Sequence, residues 1–444
     1  MKKSIKYVLA LVLCLCFVLV GCTPKLNMPT GEVSSNGGSV VMMGDYVYYA
    51  NTFADYSSLS GNANEDGTTK QNALYRVKTD KFGYTTRDDD DFIENIEKVT
   101  SKISGFNNSN MFIVGNYLYF TSPNAHKDKK GGDLFNLTTL FRIKLDGTGR
   151  QEILSTETTQ GKFFLVTEET PYLLVFDNSK IIKLTIGDKL GKIETLVSDV
   201  LDVVFPTNYG NLDTFYYTTD ISEDDKTAGI TSGNYLNKYN LSTKESNLID
   251  RNYRETVTLV ALENNKLYYK KLDTTTNVAY YYSNTMGSTF ESGEQKLTYV
   301  GATTSNNTTT DAVSNFSIIN SENYVFEYNK KIMLNTETTP LVDEEAKIEL
   351  IYGDYVYYST SKGLYRISYK DKKVQTVALM ENIKQGEGAV DIAGEYVYFY
   401  AKTANNSTDT YYCHRANNKV IEDGRTKVEC IAEVLEEDIK GNEE

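Results

Sequence analysis

A short unit of apolar strands and polar turns recurs along the chain. In its clearest copy, an apolar run over residues 111–114 is followed by a Gly-Asn turn and an aromatic run over residues 117–120. A third apolar run over residues 140–145 ends at an Asp-Gly turn, and residues 151–154 supply a fourth strand. Gly-Asn and Asp-Gly suit hairpin turns that require positive φ. The pattern therefore predicts a four-stranded antiparallel meander.

The aromatic second strand and the third strand of this unit occur together eight times. The copies are 46–49 with 74–77, 117–120 with 140–145, 172–176 with 181–184, 215–218 with 235–239, 266–269 with 279–282, 324–328 with 331–334, 355–358 with 364–367, and 396–399 with 411–414. Four-stranded repeats of this length are typical of β-propellers. No long stretch has an apolar 3.6-residue period, so we expect an all-β chain. The sequence predicts a propeller over residues 38–437 with eight blades, or alternatively seven, whose last strand lies within 428–434.

Two residue types recur at fixed positions of the unit. Glycine opens the turn between the first two strands in four copies, at Gly44, Gly115, Gly353 and Gly394. Arginine occupies one position of the third strand in three copies, at Arg76, Arg142 and Arg366. We interpret the glycines as turn residues and the arginines as structural hydrogen-bond donors rather than ligand contacts.

The repeated motif resembles a known bacterial family. Gly-Asp-Tyr-Val-Tyr-Tyr over 353–358, Leu-Tyr-Arg-Ile over 364–367 and Lys-Leu-Asp-Gly-Thr-Gly over 144–149 resemble a family described as prolow-density-lipoprotein-receptor-like β-propellers. Residues 119–122 and 216–219 resemble the Tyr-Trp-Thr-Asp motif of the receptor propellers, although this chain has no Trp and its Asp is out of register. Eight copies also exceed the six blades of those receptors. The resemblance implies the fold and no activity, because the bacterial family has none assigned.

The N-terminus has the pattern of an export signal. A basic start precedes an apolar run over residues 7–20, which is shorter than the roughly 20 residues that span a membrane. Leu19-Val20-Gly21-Cys22 resembles a bacterial lipobox, which implies cleavage after residues 1–21 and a diacylglyceryl lipid on the sulfur of Cys22. The alternative is an ordinary signal peptide with an incidental cysteine. We expect a protein anchored by its lipid to the extracytoplasmic face of the cell membrane.

Composition limits the partners of the mature chain. Residues 22–37 are polar and rich in small residues, which predicts a lipidated cysteine followed by a flexible tether, and residues 438–444 form an acidic tail. Loss of the three lysines in residues 1–21 changes the formal net charge from −14 to −17. Such a surface repels polyanions, so we expect no nucleic-acid partner.

Few residues suggest chemistry. The mature chain retains Cys413 and Cys430, which form either one disulfide or two buried thiols. Two isolated histidines, His126 and His414, cannot build a histidine-rich metal site or a convincing triad. Acidic runs at 88–91 and 223–225 lack the spacing of calcium loops and are interpreted as solvated loop charge. We therefore expect no cofactor and no metal, and we assign no catalytic residue.

Loop length gives the strongest functional indication. The longest connections all join a second strand to a third strand, so they emerge on one face of the ring; they cover 51–71, 123–139, 221–233 and 403–409. Tyr56, Phe135 and Asn136 are candidate contact residues there. The alternative is neutral drift in loop length. We expect non-catalytic binding of a protein, peptide or cell-wall glycan; the alternatives are a glycan or peptide hydrolase with carboxylates in the channel, and an envelope assembly scaffold.

Overall fold

Tyrosine-rich apolar runs fold into consecutive antiparallel hairpins in the computed structural model of the protein. The structure describes residues 25–50, 52–54, 73–82, 96–104, 111–127, 129–132, 134–158, 161–206, 209–263, 265–276, 278–286, 293–298, 303–305, 308–310, 313–386, 388–402, 410–419 and 428–430. Within those ranges no helix has both the length and the apolar character needed to cross a membrane.

The first four blades follow one another in the N-terminal half of the chain. Blade 1 contains β1 (Val33–Ser35), β2 (Val40–Met43), β3 (Tyr46–Ala50), β5 (Ala73–Lys78) and β6 (Glu97–Ile103), with β4 (Thr52–Ala54) and a 3₁₀ turn (Thr79–Lys81) in its connections. Blade 2 contains β7 (Phe112–Val114), β8 (Tyr117–Pro123), β9 (Thr138–Lys144) and β10 (Gln151–Ser155). Blade 3 contains β11 (Lys162–Val166), β12 (Tyr172–Asp177), β13 (Lys180–Thr185) and β14 (Ile193–Ser198). Blade 4 contains β15 (Val200–Val204), β16 (Thr214–Asp220), the helix α1 (Glu223–Thr227), β17 (Gly233–Asn240) and β18 (Glu245–Tyr253).

Four further blades complete the series. Blade 5 contains β19 (Glu255–Glu263), β20 (Lys266–Asp273), β21 (Val278–Thr285) and β22 (Glu294–Thr298), and is followed by a small hairpin of β23 (Thr303–Ser305) and β24 (Thr308–Thr310). Blade 6 contains β25 (Val313–Ile318), β26 (Tyr324–Tyr328) and β27 (Lys331–Leu334). Blade 7 contains β28 (Lys347–Tyr352), β29 (Tyr355–Thr360), β30 (Gly363–Ser368) and β31 (Val374–Ala378). Blade 8 contains β32 (Val390–Ala393), β33 (Tyr396–Ala401), β34 (Thr410–Asn417) and β35 (Val428–Cys430).

The blade count confirms the prediction of eight, and the seven-blade alternative is wrong. Blade 6 has three strands among the described residues, and Val342 forms an isolated bridge to Ile332 where a fourth strand would lie. The five-residue α1 is the only α-helix in the described ranges. First strands of consecutive blades contact one another from blade 4 to blade 8, and the inner strands of blade 1 contact those of blades 8 and 2, so these strands lie nearest the centre.

The blades pack face to face, which is why their strands are apolar on both sides. Tyr48 packs in the seam with blade 2, whereas its neighbour Tyr49 packs in the seam with blade 8. Eight buried apolar clusters each fill one seam between consecutive blades. The cluster between blades 8 and 1 joins Tyr49 to Tyr398 and Cys413, so the ring is closed. Each fully buried large apolar side chain there contributes roughly 1.5–3 kcal/mol.

The recurring glycine opens the first turn of its blade, as predicted. Gly44, Gly115, Gly353 and Gly394 have φ values of 57° to 60°, which only glycine adopts at little cost. We call the face that carries these turns and the third-to-fourth-strand turns the turn face. The opposite face carries the second-to-third-strand connections and the blade-to-blade connections, and we call it the loop face.

Arginines on the third strands of four blades connect each of these blades to the next one. Their Nη1 atoms donate to backbone carbonyls: Arg76 to Leu145 at 2.9 Å, Arg142 to Gly187 at 2.5 Å, Arg366 to Asn418 at 2.5 Å and Arg415 to Thr79 at 2.9 Å. Every acceptor lies just after the third strand of the following blade. Each guanidinium also stacks on a tyrosine of its own blade: Tyr46, Tyr117, Tyr355 and Tyr396, at 3.8 to 4.5 Å from the ring centroid.

We call each arginine together with its carbonyl acceptor an arginine clasp. The four clasps cross the seams between blades 7 and 8, 8 and 1, 1 and 2, and 2 and 3. The structural role predicted for Arg76, Arg142 and Arg366 is confirmed. Arg415 forms the equivalent hydrogen bond in the last blade. The sequence did not reveal it, because the third-strand sequence Tyr-Tyr-Cys-His-Arg departs from the motif.

The N-terminal segment belongs to the fold over most of the stretch expected to be a flexible tether. Leu26 N donates to Asp146 O at 3.0 Å, and the Leu26 side chain packs on the apolar cluster between blades 1 and 2. Thr30 O lies only 2.0 Å from where a Cβ on Gly44 would sit, so the close approach itself requires glycine there. β1 then pairs with β2 as the innermost strand of blade 1. The segment runs from the turn face along the centre of the ring to the loop face.

Candidate functional site

The second-to-third-strand connections on the loop face differ in length from blade to blade, as the sequence predicts. In blades 3 and 6 the second-to-third-strand connection is a tight turn at Asn178-Ser179 or Asn329-Lys330, with both residues at positive φ. Blade 4 instead carries a longer connection over 221–233 that contains α1. Of the predicted contact residues, Phe135 is half-buried and Asn136 is exposed in the blade 2 connection. Tyr56 and the connection over 403–409 lie outside the described residues.

The first residues of the long blade 1 connection are part of a blade sheet. Residues Thr52–Ala54 form β4, which pairs antiparallel with β34 of blade 8. The first part of a loop expected to be dispensable for the fold therefore extends the sheet of a neighbouring blade. Side-chain contacts within residues 55–72 lie outside the described part of the chain.

The blade 4 connection is ordered by its own polar side chains. Ser222 caps α1, since its Oγ accepts the N–H of Asp225 at 3.2 Å. Lys226 Nζ contacts Asp220 Oδ2 at 2.8 Å and Glu223 Oε1 at 2.9 Å. The acidic run over 223–225, expected in a loop, thus forms the first turn of a helix, where carboxylates are favoured by the helix dipole.

Two tyrosines attach this connection to the edge of blade 4. Tyr235 Oη donates to Ser222 Oγ and Tyr253 Oη to Asp225 Oδ1, both at 3.3 Å. The two rings meet edge to face with centroids 6.4 Å apart, and Arg251 lies 5.7 Å above the Tyr235 ring. Tyr253 is 37% exposed. We call Ser222, Asp225, Tyr235, Arg251 and Tyr253 the blade 4 patch: it offers an aromatic surface flanked by charges of both signs.

Carboxylates on the first or second strands of their blades, near the loop face, form a second polar feature. Each accepts a backbone N–H from a neighbouring blade or its lead-in: Asp202 from Leu259 at 3.0 Å, Glu327 from Ile348 at 2.8 Å, Glu349 from Gly386 at 3.3 Å and Asp391 from Val40 at 3.0 Å. An inner strand is a sheet edge whose N–H groups need partners. The carboxylates supply them, and no local sequence signal indicated this role.

Glu349 differs from the other three in its setting. It is the extra residue of a β-bulge, because Ile348 pairs with Tyr358 while Leu350 pairs with Tyr357. Ser359 Oγ donates to Glu349 Oε1 at 2.6 Å and accepts from Gln385 Nε2 at 3.1 Å. Burial raises the pKa of Glu349 to about 7. Bulges often re-aim side chains beside active sites, and a carboxyl that titrates near neutrality can donate or accept a proton there.

The raised pKa predicts a pH-dependent stability that Glu349→Gln removes. A carboxyl with a pKa of 4.5 in the unfolded chain and about 7 in the fold stabilises the protein below pH 4.5, and this contribution is lost as the pH rises through 7. The glutamine variant resembles the protonated state at every pH. We expect the advantage of the variant to grow from about 1 kcal/mol at pH 5 to about 3 kcal/mol at pH 8, measured by urea unfolding at both pH values.

The matched control is Glu322→Gln, an exposed glutamate in the turn between β25 and β26. Its unfolding free energy should follow that of the unsubstituted protein across the same range. If the difference between Glu349→Gln and the unsubstituted protein is the same at pH 5 and pH 8, Glu349 does not titrate as described.

The cysteines and histidines do not form a reactive site in the described residues. Cys413 is buried, and the backbone of Cys430 pairs with that of His414. The disulfide between Cys413 and Cys430, with two thiols as the alternative, stays a prediction. Burial lowers the pKa of His414 to about 4, and its Nδ1 donates to Tyr412 O at 2.8 Å. His126 is exposed and its Nε2 lies 2.8 Å from Glu152.

The turn face carries a cleft of about 350 Å³ beneath blades 2 and 3. Its lining residues are Met28, Asn116, Tyr117, Lys144, Asp146 and Asp188. Across the described ranges, no group of three or more histidine, cysteine, aspartate or glutamate side chains is arranged to hold a metal ion.

Comparisons with known proteins bear on the fold. No family model and no curated protein matches the chain. The β-propeller domain of the Trilobed protease from Pyrococcus furiosus is similar at 10% identity, covering 89% of this chain and 97% of that chain with a TM-score of 0.39. An oligogalacturonate lyase from Vibrio parahaemolyticus is similar at 10% identity, covering 87% and 99% with a TM-score of 0.42.

A further structure, TolB from Acinetobacter baumannii, is similar at 10% identity, covering 66% of this chain with a TM-score of 0.30. The match spans 59% of the TolB chain, and a match to a prolyl endopeptidase spans 48% of that chain. At 10% identity and TM-scores of 0.30 to 0.42, these proteins are similar to this chain in fold alone.

Proposed function

We propose that the protein is a lipid-anchored binding protein on the extracytoplasmic face of the cell membrane. In this proposal Cys22 carries the lipid, and the loop face holds a protein, peptide or cell-wall glycan. The lipobox-like residues 19–22 support the anchor. The repeated blade motif supports a place beside the bacterial prolow-density-lipoprotein-receptor-like propellers.

The blade 4 patch carries the proposal. Tyrosine rings present large, rigid contact surfaces whose hydroxyl groups also form hydrogen bonds. Here both rings are held against a capped helix, so a ligand need not order the loop when it binds. Asp225 and Arg251 stand beside the rings and can accept from or donate to polar groups of the ligand.

Binding should depend on Tyr253. Truncating the exposed ring by Tyr253→Ala removes the outer part of the patch, and central aromatic contacts are worth about 2 kcal/mol or more in protein interfaces. We expect at least a tenfold loss of affinity. The measurement is surface plasmon resonance of protein lacking the lipid against two fractions from the same bacterium, cell-wall polysaccharide and solubilised envelope proteins.

The control variant is Tyr352→Ala, which removes an exposed tyrosine at the turn-face end of β28. It should bind as the unsubstituted protein does. Equal losses for both variants, or a loss only for Tyr352→Ala, would place the binding site elsewhere.

A second candidate function is hydrolysis of a glycan or peptide at the centre of the loop face. The observation that favours it is Glu349, a bulged carboxyl with a pKa of about 7 that is hydrogen-bonded to Ser359. The same resonance experiment separates the two functions, because a hydrolase would release shortened fragments from the captured polysaccharide or protein, and a binding protein would release it unchanged.

A further inference from the structure

The N-terminal segment leaves the propeller at a fixed point on the turn face. Lys25 Nζ lies 3.4 Å from Asp146 Oδ2, and Leu26 N donates to Asp146 O at 3.0 Å. The Leu26 side chain lies 3.3 Å from the position of a Cβ on Gly147. Two polar contacts and one apolar contact therefore hold residues 25 and 26 against the third-to-fourth-strand turn of blade 2. We call these contacts the N-terminal clamp.

The distance from the clamp to the proposed lipid site is short. Only three residue steps separate Cys22 from Lys25. A chain advances at most about 3.6 Å per residue, so the two Cα atoms lie within roughly 11 Å of each other. A lipid inserted through Cys22 would bring the turn of blade 2 close to the bilayer surface.

We propose that the turn face of blades 1 and 2 rests on the bilayer and that the loop face points away from it. This orientation rests on the proposed lipid anchor and adds a fixed geometry to it. Seven-residue strands such as β16 span about 23 Å at 3.3 Å per residue. The blade 4 patch is thereby held further from the lipid headgroups than the clamp, by up to about 20 Å.

Charge on the turn face suits such a contact. The chain is strongly acidic, and an acidic surface is repelled by anionic headgroups. Six carboxylates of this face are paired with lysines: Asp45 with Lys78, Asp146 with Lys25, Glu194 with Lys244, Glu337 with Lys372, Asp354 with Lys370 and Glu395 with Lys419. These pairs lower the net negative charge of the face that the clamp turns toward the membrane.

The test measures the distance of each face from the lipid. Full-length lipidated protein receives a single fluorophore on the turn face through Asn116→Cys or on the loop face through Thr227→Cys, both in a Cys430→Ser chain; Cys413 is buried. The protein is added to vesicles of phosphatidylethanolamine and phosphatidylglycerol that contain acceptor-labelled lipid. We expect energy transfer from residue 116 to exceed that from residue 227 at least threefold.

Equal transfer from both sites, or more from residue 227, in protein that floats with the vesicles would overturn the orientation and leave the anchor standing. Failure to float, with the same result for Cys22→Ala, would overturn the anchor and the orientation with it. Leu26→Asp releases the clamp without touching Cys22; it should float normally while the difference between the two sites shrinks. A difference that stays unchanged in this variant would show that the clamp does not set the orientation.

Discussion

Deletion of residues 25–37 is expected to lower the free energy of unfolding by about 3–5 kcal/mol. The deletion removes β1, the Leu26 contacts and Asn36, whose side chain accepts from Ile113 N at 2.6 Å and donates to Ile113 O at 3.1 Å. Ile113 is buried, so its backbone groups lose their partner without gaining free access to water. Urea unfolding of the deleted and intact mature chains measures the difference.

The matched control deletes only residues 22–24, so that Lys25 and the clamp are kept. This shorter deletion should leave the unfolding midpoint unchanged. Asn36→Ala alone should reproduce about 1–2 kcal/mol of the larger loss. A deletion of residues 25–37 with no effect on the midpoint would mean that the segment adds nothing to the stability of the ring.

Arg76→Met is expected to cost about 2–3 kcal/mol, less than removal of one partner of a fully buried ion pair, because the Glu97 side chain is 28% exposed. The Arg76 side chain is fully buried, and its Nε donates to Glu97 Oε2 at 2.7 Å while Nη1 donates to Leu145 O and Tyr48 Oη. Methionine fills much of the volume but leaves the carboxylate and the carbonyl without a donor. Arg76→Lys should also destabilise, because one ammonium nitrogen cannot reach all the acceptors that the guanidinium meets with two separate nitrogens, Nε and Nη1.

Arg251→Met is the control for Arg76→Met, because Arg251 also lies over a tyrosine ring but is exposed. Its effect on thermal and urea unfolding should stay within about 0.5 kcal/mol. Comparable losses for the two substitutions would mean that clasp geometry across the seam is not what makes Arg76 stabilising.

The architecture was accessible from sequence because each blade repeats a local signal. Apolar pairs such as Tyr48-Tyr49 serve two seams at once, and a glycine such as Gly353 marks the first turn of a blade. Counting these signals was enough to obtain eight blades. The same local character explains why Arg76 could be interpreted as structural before its acceptor was known.

The features that escaped prediction depend on contacts between distant residues. β1 lies in a polar, serine- and glycine-rich stretch, and only its pairing with β2 makes it a strand. Glu349 and Gly386 meet because two blades are neighbours in space. The position of Cys430 is a further case, because only the register of β35 on β34 places its backbone opposite His414.

Pairing between β4 and β34 makes the beginning of the chain depend on its end. β4 lies within the first sixty residues, and its partner strand is made only when residues 410–412 have been added. During synthesis, seams between consecutive blades can form in order, but the last seam must wait for the C-terminal blade. Until then Tyr49 and its neighbours remain uncovered on the open side of blade 1. A chain arrested before blade 8 is therefore an open arc with one apolar end, the kind of species that chaperones and proteases recognise.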